Sequence, residues 1–350
     1  MKKILFTGGG SAGHVIPNIA LMEELLAEGK IDVCYMGTEG IEKELVTAQN
    51  IPYHTISCPK LVREKNFSAL KNNIRIPLAF QKAVKEAERG LALFQPDLVF
   101  SKGGYVALPV IFAAKKLKIP CIAHESDLSL GLANRLSAKK CKTLLTSFPE
   151  TAKDVPNGKY GGAPIRRSVL SVNREEAGEK LGIDKKQKVL LVFGGGSGSK
   201  AINDALRNTL KTLTKNYLVL HVCGKGNAVE SSFKNYRQYE FIADMGTFYA
   251  VADLVVARAG AGTIFELLAL KKPSLLIPLS GASRGDQKQN ADYFRQKGLC
   301  RVLPQTEIEK LGEEIDAAFL DEEMKTRLLN SNYAQGNARI LGEIRSVLYV

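Results

Sequence analysis

The chain has no Cys-x-x-Cys pair, no Asp-x-Asp pair and no apolar run near the ~18–20 residues needed to cross a bilayer. Each absence removes a class of protein. Six cysteines stand apart at 34, 58, 121, 141, 223 and 300, several in apolar strand-like runs such as Val33-Cys34-Tyr35 and His221-Val222-Cys223. Such spacing favours buried reduced thiols over a disulfide or zinc framework. Without Asp-x-Asp, a metal clamp on a diphosphate has no obvious ligands, so no cofactor and no required metal are expected. Met1-Lys2-Lys3 begins like a signal segment, but glycines follow after a few apolar residues and no h-region forms. The expectation is a cytoplasmic protein that meets a membrane, if at all, from its surface.

What the chain has in excess is positive charge. Lys and Arg number 49 against 36 Asp and Glu, a net +13 over 350 residues. That balance favours an anionic partner without choosing among nucleic acid, anionic lipid and a phosphorylated substrate. The length suits two domains, and 45% hydrophobic with 24% charged residues is an ordinary globular composition.

Two stretches repeat one another. Ile4-Leu5-Phe6 leads into Thr7-Gly8-Gly9-Gly10-Ser11-Ala12-Gly13-His14, and Val189–Phe193 leads into Gly194-Gly195-Gly196-Ser197-Gly198-Ser199, each followed by a helical pattern. A strand that turns through glycines into a helix converges N–H groups and the helix dipole on an anion. Gly8-x-Gly10-x-x-Gly13 also matches the dinucleotide fingerprint, which needs an acid about 20 residues on, at the end of the second strand. Here the strand Asp32–Met36 runs into Gly37-Thr38, and Leu218–Cys223 runs into Gly224-Lys225. Both lack the acid, which argues against NAD.

Strand-like runs alternate with helical patterns, as in a parallel sheet with crossover helices. In the first half the strands are Lys3–Thr7, Asp32–Met36, Tyr53–Ile56, Asp97–Ser101 and Cys121–His124. Helices are expected from about Pro17, through Asn18–Glu28, and over Leu108–Leu117. Ser101-Lys102-Gly103-Gly104-Tyr105 and His124-Glu125-Ser126-Asp127 follow strand ends, where open parallel sheets bind ligands. Between Lys60 and Lys85, bulky apolar residues interleave with Lys and Arg. That composition fits either a segment lying on anionic lipid or an ordinary amphipathic helix. Lys115, Lys116, Lys118, Lys139, Lys140 and Lys142 strengthen the first reading only if they share its face. Gly161-Gly162-Ala163-Pro164-Ile165-Arg166-Arg167 reads as a linker. Beyond it, Phe241-Ile242 reads as a short strand, Leu254–Ala257 as another, and Pro273–Pro278 as a third. Thr263 and Glu266 have capping-box spacing.

The ordered set of Gly8–His14, Gly103-Gly104-Tyr105, His124-Glu125-Ser126-Asp127, Gly161–Arg166, Arg258–Thr263 with Glu266, and Arg284-Gly285-Asp286-Gln287 with Asn290-Ala291 resembles the MurG family over nearly the whole chain. Members are peripheral membrane glycosyltransferases that add GlcNAc to lipid I in peptidoglycan synthesis. The resemblance implies an α/β GT-B fold of two Rossmann-like domains, residues 1–163 for acceptor and membrane and 164–350 for UDP-GlcNAc, with the last helix packing back on the first. For the donor it implies Ile242 at the uracil, Glu266 at the ribose, and Gly262, Thr263 and Arg166 at the diphosphate. Asp286 and Gln287 would take the sugar hydroxyls, with Gly196 and Ser197 beside them. Ser11, Ala12, Gly13 and Asp127 would complete the donor site, and Gly10, Ser11, Gly13, Gly104 and Tyr105 would bind the acceptor. Asp127 stands where well-known members carry Asn, and Gly196 where Ser is frequent.

The implied reaction inverts the donor anomer and needs a base for the acceptor hydroxyl proton. His14 is the first candidate and Glu125 the second. Lys71, Ile74, Arg75, Leu78, Phe80 and Lys82 are assigned to the cytoplasmic face of the membrane. Partners would be UDP-GlcNAc, undecaprenyl-linked lipid I and anionic lipid, not nucleic acid. A UDP-GlcNAc 2-epimerase of the same fold, or a non-catalytic nucleotide- or nucleic-acid-binding protein, are the alternatives.

Overall fold

The computed structural model describes residues 1–59, 74, 76–280, 285–333 and 336–349. They form two compact units, Met1–Arg166 with Gln335–Val350, and Arg167–Ala334. The first unit therefore runs past the expected 163/164 boundary and includes the chain's last helix.

The first unit is built on a seven-stranded parallel sheet. Its strands are β1 (Lys2–Thr7), β2 (Ile31–Gly37), β3 (Tyr53–Thr55), β4 (Leu98–Ser101), β5 (Cys121–Glu125), β6 (Thr143–Thr146) and β7 (Gly158–Tyr160). Their order is β3-β2-β1-β4-β5-β6-β7, and Thr7 pairs with Met36 on one side and Ser101 on the other. Ile4, Leu5 and Phe6 are buried together because crossover helices cover both faces of a parallel sheet. The second unit repeats the plan with β8 (Val189–Phe193), β9 (Leu218–Val222), β10 (Tyr236–Tyr239), β11 (Leu254–Ala257), β12 (Ser274–Leu276) and β13 (Arg301–Val302), ordered β10-β9-β8-β11-β12-β13. Each sheet reverses its strand order once, between β1 and β4 and between β8 and β11. Such a switch point opens a crevice at the strands' carboxyl ends.

The C-terminal helix Asn337–Leu348 places Ile340, Leu341, Ile344 and Leu348 in the core with Ile4, Phe6 and Leu98. Each such side chain contributes about 2 kcal/mol of burial. Asn337 fixes the approach by exchanging two hydrogen bonds with the Ile165 backbone, at 2.8 and 2.9 Å.

Several expectations need correction. The first helix begins at Ala12, not near Pro17, and keeps Pro17 inside it. The residue type that favours a helix start was here tolerated in the second turn, because buried Val15, Ile19 and Met22 hold the helix against the sheet. Phe241-Ile242 is not a strand. Pairing with β9 stops at Tyr239, and the chain then turns into the helix Met245–Val251, capped by Asp244. The strands β6 and β7 had no counterpart in the sequence reading; their runs are only four and three residues long. All six cysteines are free, five of them buried and Cys58 partly so.

Candidate functional site

In the second unit, the loop after β8 faces the loop after β11 across the switch point. Gly198 has φ of 76°, and its α-carbon packs so closely on the Cys223 carbonyl that no side chain fits; Gly224, at φ 93°, meets Ser197 in the same way. The loop is thereby pinned at its end while Gly195 and Gly196 stay open to solvent. Ser199 caps the helix Lys200–Leu213 by accepting from Ile202 N at 3.4 Å. Its hydroxyl also accepts from Arg258 Nη2 at 2.7 Å, while Arg258 Nη1 donates to Ile277 O at 3.2 Å. Burial lowers the Arg258 pKa from its ordinary value, yet the guanidinium stays charged at any working pH.

These groups line a cavity of about 450 Å³, with Gly194, Thr263, Leu279, Gln287 and Gln305. Gln287 Oε1 accepts from Leu279 N at 2.9 Å, and the buried Gln305 Oε1 has no hydrogen-bond partner. Thr263 is not a cap: the helix Ala261–Ala269 starts two residues earlier, with Gly260 as its N-cap. The capping-box reading is therefore wrong, and Thr263 and Glu266 are one turn apart inside the helix. Glu266 accepts from Tyr249 Oη at 3.0 Å. Gly262 is exposed at the amino end of that helix, whose first-turn N–H groups have no intrahelical acceptor and suit an anion. Asp286 and Gln287 open the helix Asp286–Gln296 after Gly285. Ile242 lies half-buried in the loop after β10.

In the first unit, β1 ends in a loop held by a carboxylate that the sequence reading passed over. Glu42, fully buried, accepts from Gly10 N at 3.2 Å and Thr38 N at 3.1 Å, and from the Thr38 hydroxyl. A β-carbon at Gly9 would lie 2.7 Å from this carboxylate. The Gly10 amide is thus spent on a protein anion, and an incoming anion is left the first-turn amides of the helix Ala12–Ala27. Ser11 Oγ lies 3.0 Å from His14 Nδ1 at the same helix end. Gly104, at φ 79°, brings the loop after β4 against Gly9 and His14, and Tyr105 packs on Gly10.

Glu125 proves to be a loop organiser. One oxygen accepts from Ser126 N at 2.9 Å and Asp127 N at 3.1 Å, the other from Gly131 N at 2.8 Å and Asn134 Nδ2 at 2.9 Å. Four donors thus occupy both oxygens of this buried carboxylate. Beneath this turn Lys102 Nζ meets His124 Nδ1 at 2.9 Å. Arg166 ends the unit; its buried Nε has no hydrogen-bond partner, and its charge partly offsets the raised pKa that burial gives Glu23.

Residues 4–146 match the glycosyltransferase family 28 N-terminal domain, and residues 189–339 match its C-terminal domain. The chain belongs to glycosyltransferase family 28. The first match runs from β1 to β6 of the first sheet, and the second covers the whole second sheet. A Clostridium perfringens relative (strain SM101 / Type A) is 46% identical over 87% of this chain and 86% of its own. A Lachnoclostridium phytofermentans relative is 44% identical over 99% of both. Both are named UDP-N-acetylglucosamine--N-acetylmuramyl-(pentapeptide) pyrophosphoryl-undecaprenol N-acetylglucosamine transferase. Among solved structures, Acinetobacter baumannii MurG superimposes with a TM-score of 0.76 at 25% identity, over 99% of this chain and 100% of its own. A Neisseria meningitidis UDP-GlcNAc 2-epimerase reaches 0.67 at 16% identity over 99% of both, a likeness of fold alone.

Among the described residues of this family 28 glycosyltransferase, no helix is long and apolar enough to cross a membrane. Of the assigned membrane residues, Lys71 and Arg75 lie outside the described residues. Ile74 and Leu78 are 70% and 74% exposed, and Lys82 pairs with Glu86 at 3.7 Å. Phe80 meets Phe112 edge-on, 5.4 Å between centroids, and Lys140 stands 4.4 Å over the Phe112 ring. Phe80 and Lys140 thus both contact the Phe112 ring.

Proposed function

We propose that this glycosyltransferase moves GlcNAc from UDP-GlcNAc to the 4-hydroxyl of MurNAc in undecaprenyl-linked lipid I, the second unit taking the donor and the first the acceptor. The observation that carries the assignment is the second unit's switch-point cavity, framed by Arg258, Thr263 and Gln287 in the family's C-terminal domain. The acceptor oxygen attacks C1, the C1–O bond to phosphate breaks, and UDP leaves with the electron pair. With Nδ1–H given to Ser11, His14 Nε2 takes the hydroxyl proton. The leaving charge is met by amides at the start of the helix Ala261–Ala269, dipoles already oriented before reaction. Neither step calls on a divalent metal. The test is transfer of labelled GlcNAc from UDP-GlcNAc to a short-chain lipid I analogue; formation of UDP-ManNAc from UDP-GlcNAc alone would instead make the chain an epimerase.

We also assign the exposed Ile74 and Leu78, with Lys82 one turn beyond Leu78 on the same helix, to the cytoplasmic membrane face, because a lipid-linked acceptor stays in the bilayer. Leu78→Ser combined with Lys82→Gln should weaken binding to anionic vesicles. Unchanged binding would remove that assignment.

A further inference from the structure

Lys102 follows β4 and is 2% exposed, an uncommon place for an ammonium. Its Nζ lies 2.9 Å from His124 Nδ1 and donates to Ser126 Oγ. His124, fully buried on β5, has Nε2 2.8 Å from Gly162 O. A carbonyl oxygen only accepts, so Nε2 carries the proton and Nδ1 accepts from Lys102. Burial and the Lys102 charge keep this imidazole neutral, well below the usual His range. The bond chain Ser126–Lys102–His124–Gly162 thus ties the turn after β5 to the backbone leaving β7.

The other groups around Lys102 are acidic or close to the reacting loop. Glu125 and Asp127 face it from the end of β5. On the β1 side its Cβ packs under Gly8, with buried Glu42 beyond Gly9 and His14 across Gly104. Buried Lys102 thus has Glu125 and Asp127 on one side and, on the other, the loop assigned to a diphosphate, with Glu42 against Gly9.

We propose that Lys102 is a positioning residue, its ammonium fixing the Ser126–Asp127 turn and offsetting the acidic groups beneath the loop that receives the anionic, diphosphate-bearing acceptor. The proposal rests on the acceptor assignment above. A buried ammonium persists only where hydrogen bonds and opposite charge offset its lost hydration. Burial lowers the Lys102 pKa to about 8, with Glu125 and Asp127 opposing the shift. Mild alkali then removes the cation and leaves the carboxylates facing the incoming phosphates.

The test measures KM for a short-chain lipid I analogue and for UDP-GlcNAc between pH 7 and pH 9, in the wild type and in Lys102→Met. The wild-type acceptor KM should climb about ten-fold over that range, following loss of one proton near pH 8, and by more than the UDP-GlcNAc KM does. Lys102→Met should show the high acceptor KM throughout, without the pH dependence. A wild-type acceptor KM that is flat from pH 7 to pH 9 overturns the proposal, and that result needs no folded variant. So does Lys102→Met with the wild-type acceptor KM at pH 7. No transfer by the wild type at any pH would instead refute the acceptor assignment itself.

Discussion

Replacing Gly104 by Ala adds one methyl at the contact between the two loops of the first unit's switch point. The backbone there has φ of 79°, and the new carbon would overlap Gly9 O and stand 3.2 Å from His14 Nδ1. The left-handed conformation alone costs an alanine ~1–2 kcal/mol. At roughly 2–4 °C per kcal/mol for a unit of this size, Tm should fall by several degrees. The overlap must also be relieved, and only Gly9, His14 or the loop of Gly104 can move. A displacement on the order of 1 Å at a catalytic base lowers kcat about 10²-fold. Gly182→Ala provides the comparison: its φ is 60° and no heavy atom lies within 4 Å of the added carbon, so it carries strain without collision. Thermal unfolding and steady-state transfer measured on both variants separate the two effects. Equal kcat in Gly104→Ala and Gly182→Ala would show that the Gly9–His14 loop has no part in turnover.

The remaining expectations are simpler. His14→Ala should lower kcat by ~10²-fold or more, and near-normal turnover would remove His14 as the base. Glu266→Ala should raise the UDP-GlcNAc KM ~10–100-fold; an unchanged KM with a lower Tm would leave Glu266 only its bond to Tyr249. Transfer should survive EDTA, and complete loss restored by Mg²⁺ would refute the metal-free mechanism. His124 is held neutral by burial, its folded pKa below the unfolded one, so its stabilisation is present above about pH 6.5 and lost as pH falls below it. Unfolding midpoints from pH 7 to pH 5 should fall more steeply in the wild type than in His124→Gln, by at most ~1.4 kcal/mol per pH unit.

The two sheets were legible because continuous apolar runs ending in glycine turns have few other readings. Val189–Phe193 and Leu254–Ala257 are strands over the predicted spans. The short β6 and β7 escaped notice because they are assembled by neighbours: Thr143–Thr146 pairs with β5 on one side and β7 on the other, with little periodicity of its own. In the candidate site, glycines and motif residues could be placed, but the roles of buried polar groups could not. Glu125 looked like a base because it stands at a strand end, and only the positions of Ser126, Asp127, Gly131 and Asn134 reveal that its oxygens are occupied. Glu42, in the helix Ile41–Thr47, was not singled out; Gly37-Thr38-Glu39-Gly40 just before it was the available sign of a tight turn. Lys102 sat in plain view within the Ser101–Tyr105 loop, yet sequence alone does not tell a buried lysine from an exposed one.

Glu42 also explains why two nearly identical glycine stretches should bind different things. Both follow a central strand at a switch point, and both present amides at the start of a helix. In the first unit a buried carboxylate takes the Gly10 amide and lies directly under Gly9, so a phosphate there would meet negative charge at close range. On the proposed assignment, this would shift the acceptor's diphosphate along to the Ala12 and Gly13 amides, beside His14. In the second unit a β-carbon placed at Gly195 or Gly196 would meet no heavy atom within 4 Å, Gly198 and Gly224 interlock through backbone, and Arg258 supplies positive charge through Ser199. Under the proposed assignment, electrostatics would place the nucleotide diphosphate in the second unit and leave the first to a ligand near His14. A variant that removes this asymmetry tests the explanation. Glu42→Gln keeps the side chain's shape and deletes the charge, leaving one acceptor oxygen for either Gly10 N or Thr38 N. Direct titration should find tighter binding of inorganic pyrophosphate to Glu42→Gln than to the wild type, even with the second-unit site saturated by UDP. Equal affinity would mean that the carboxylate does not govern where phosphate goes.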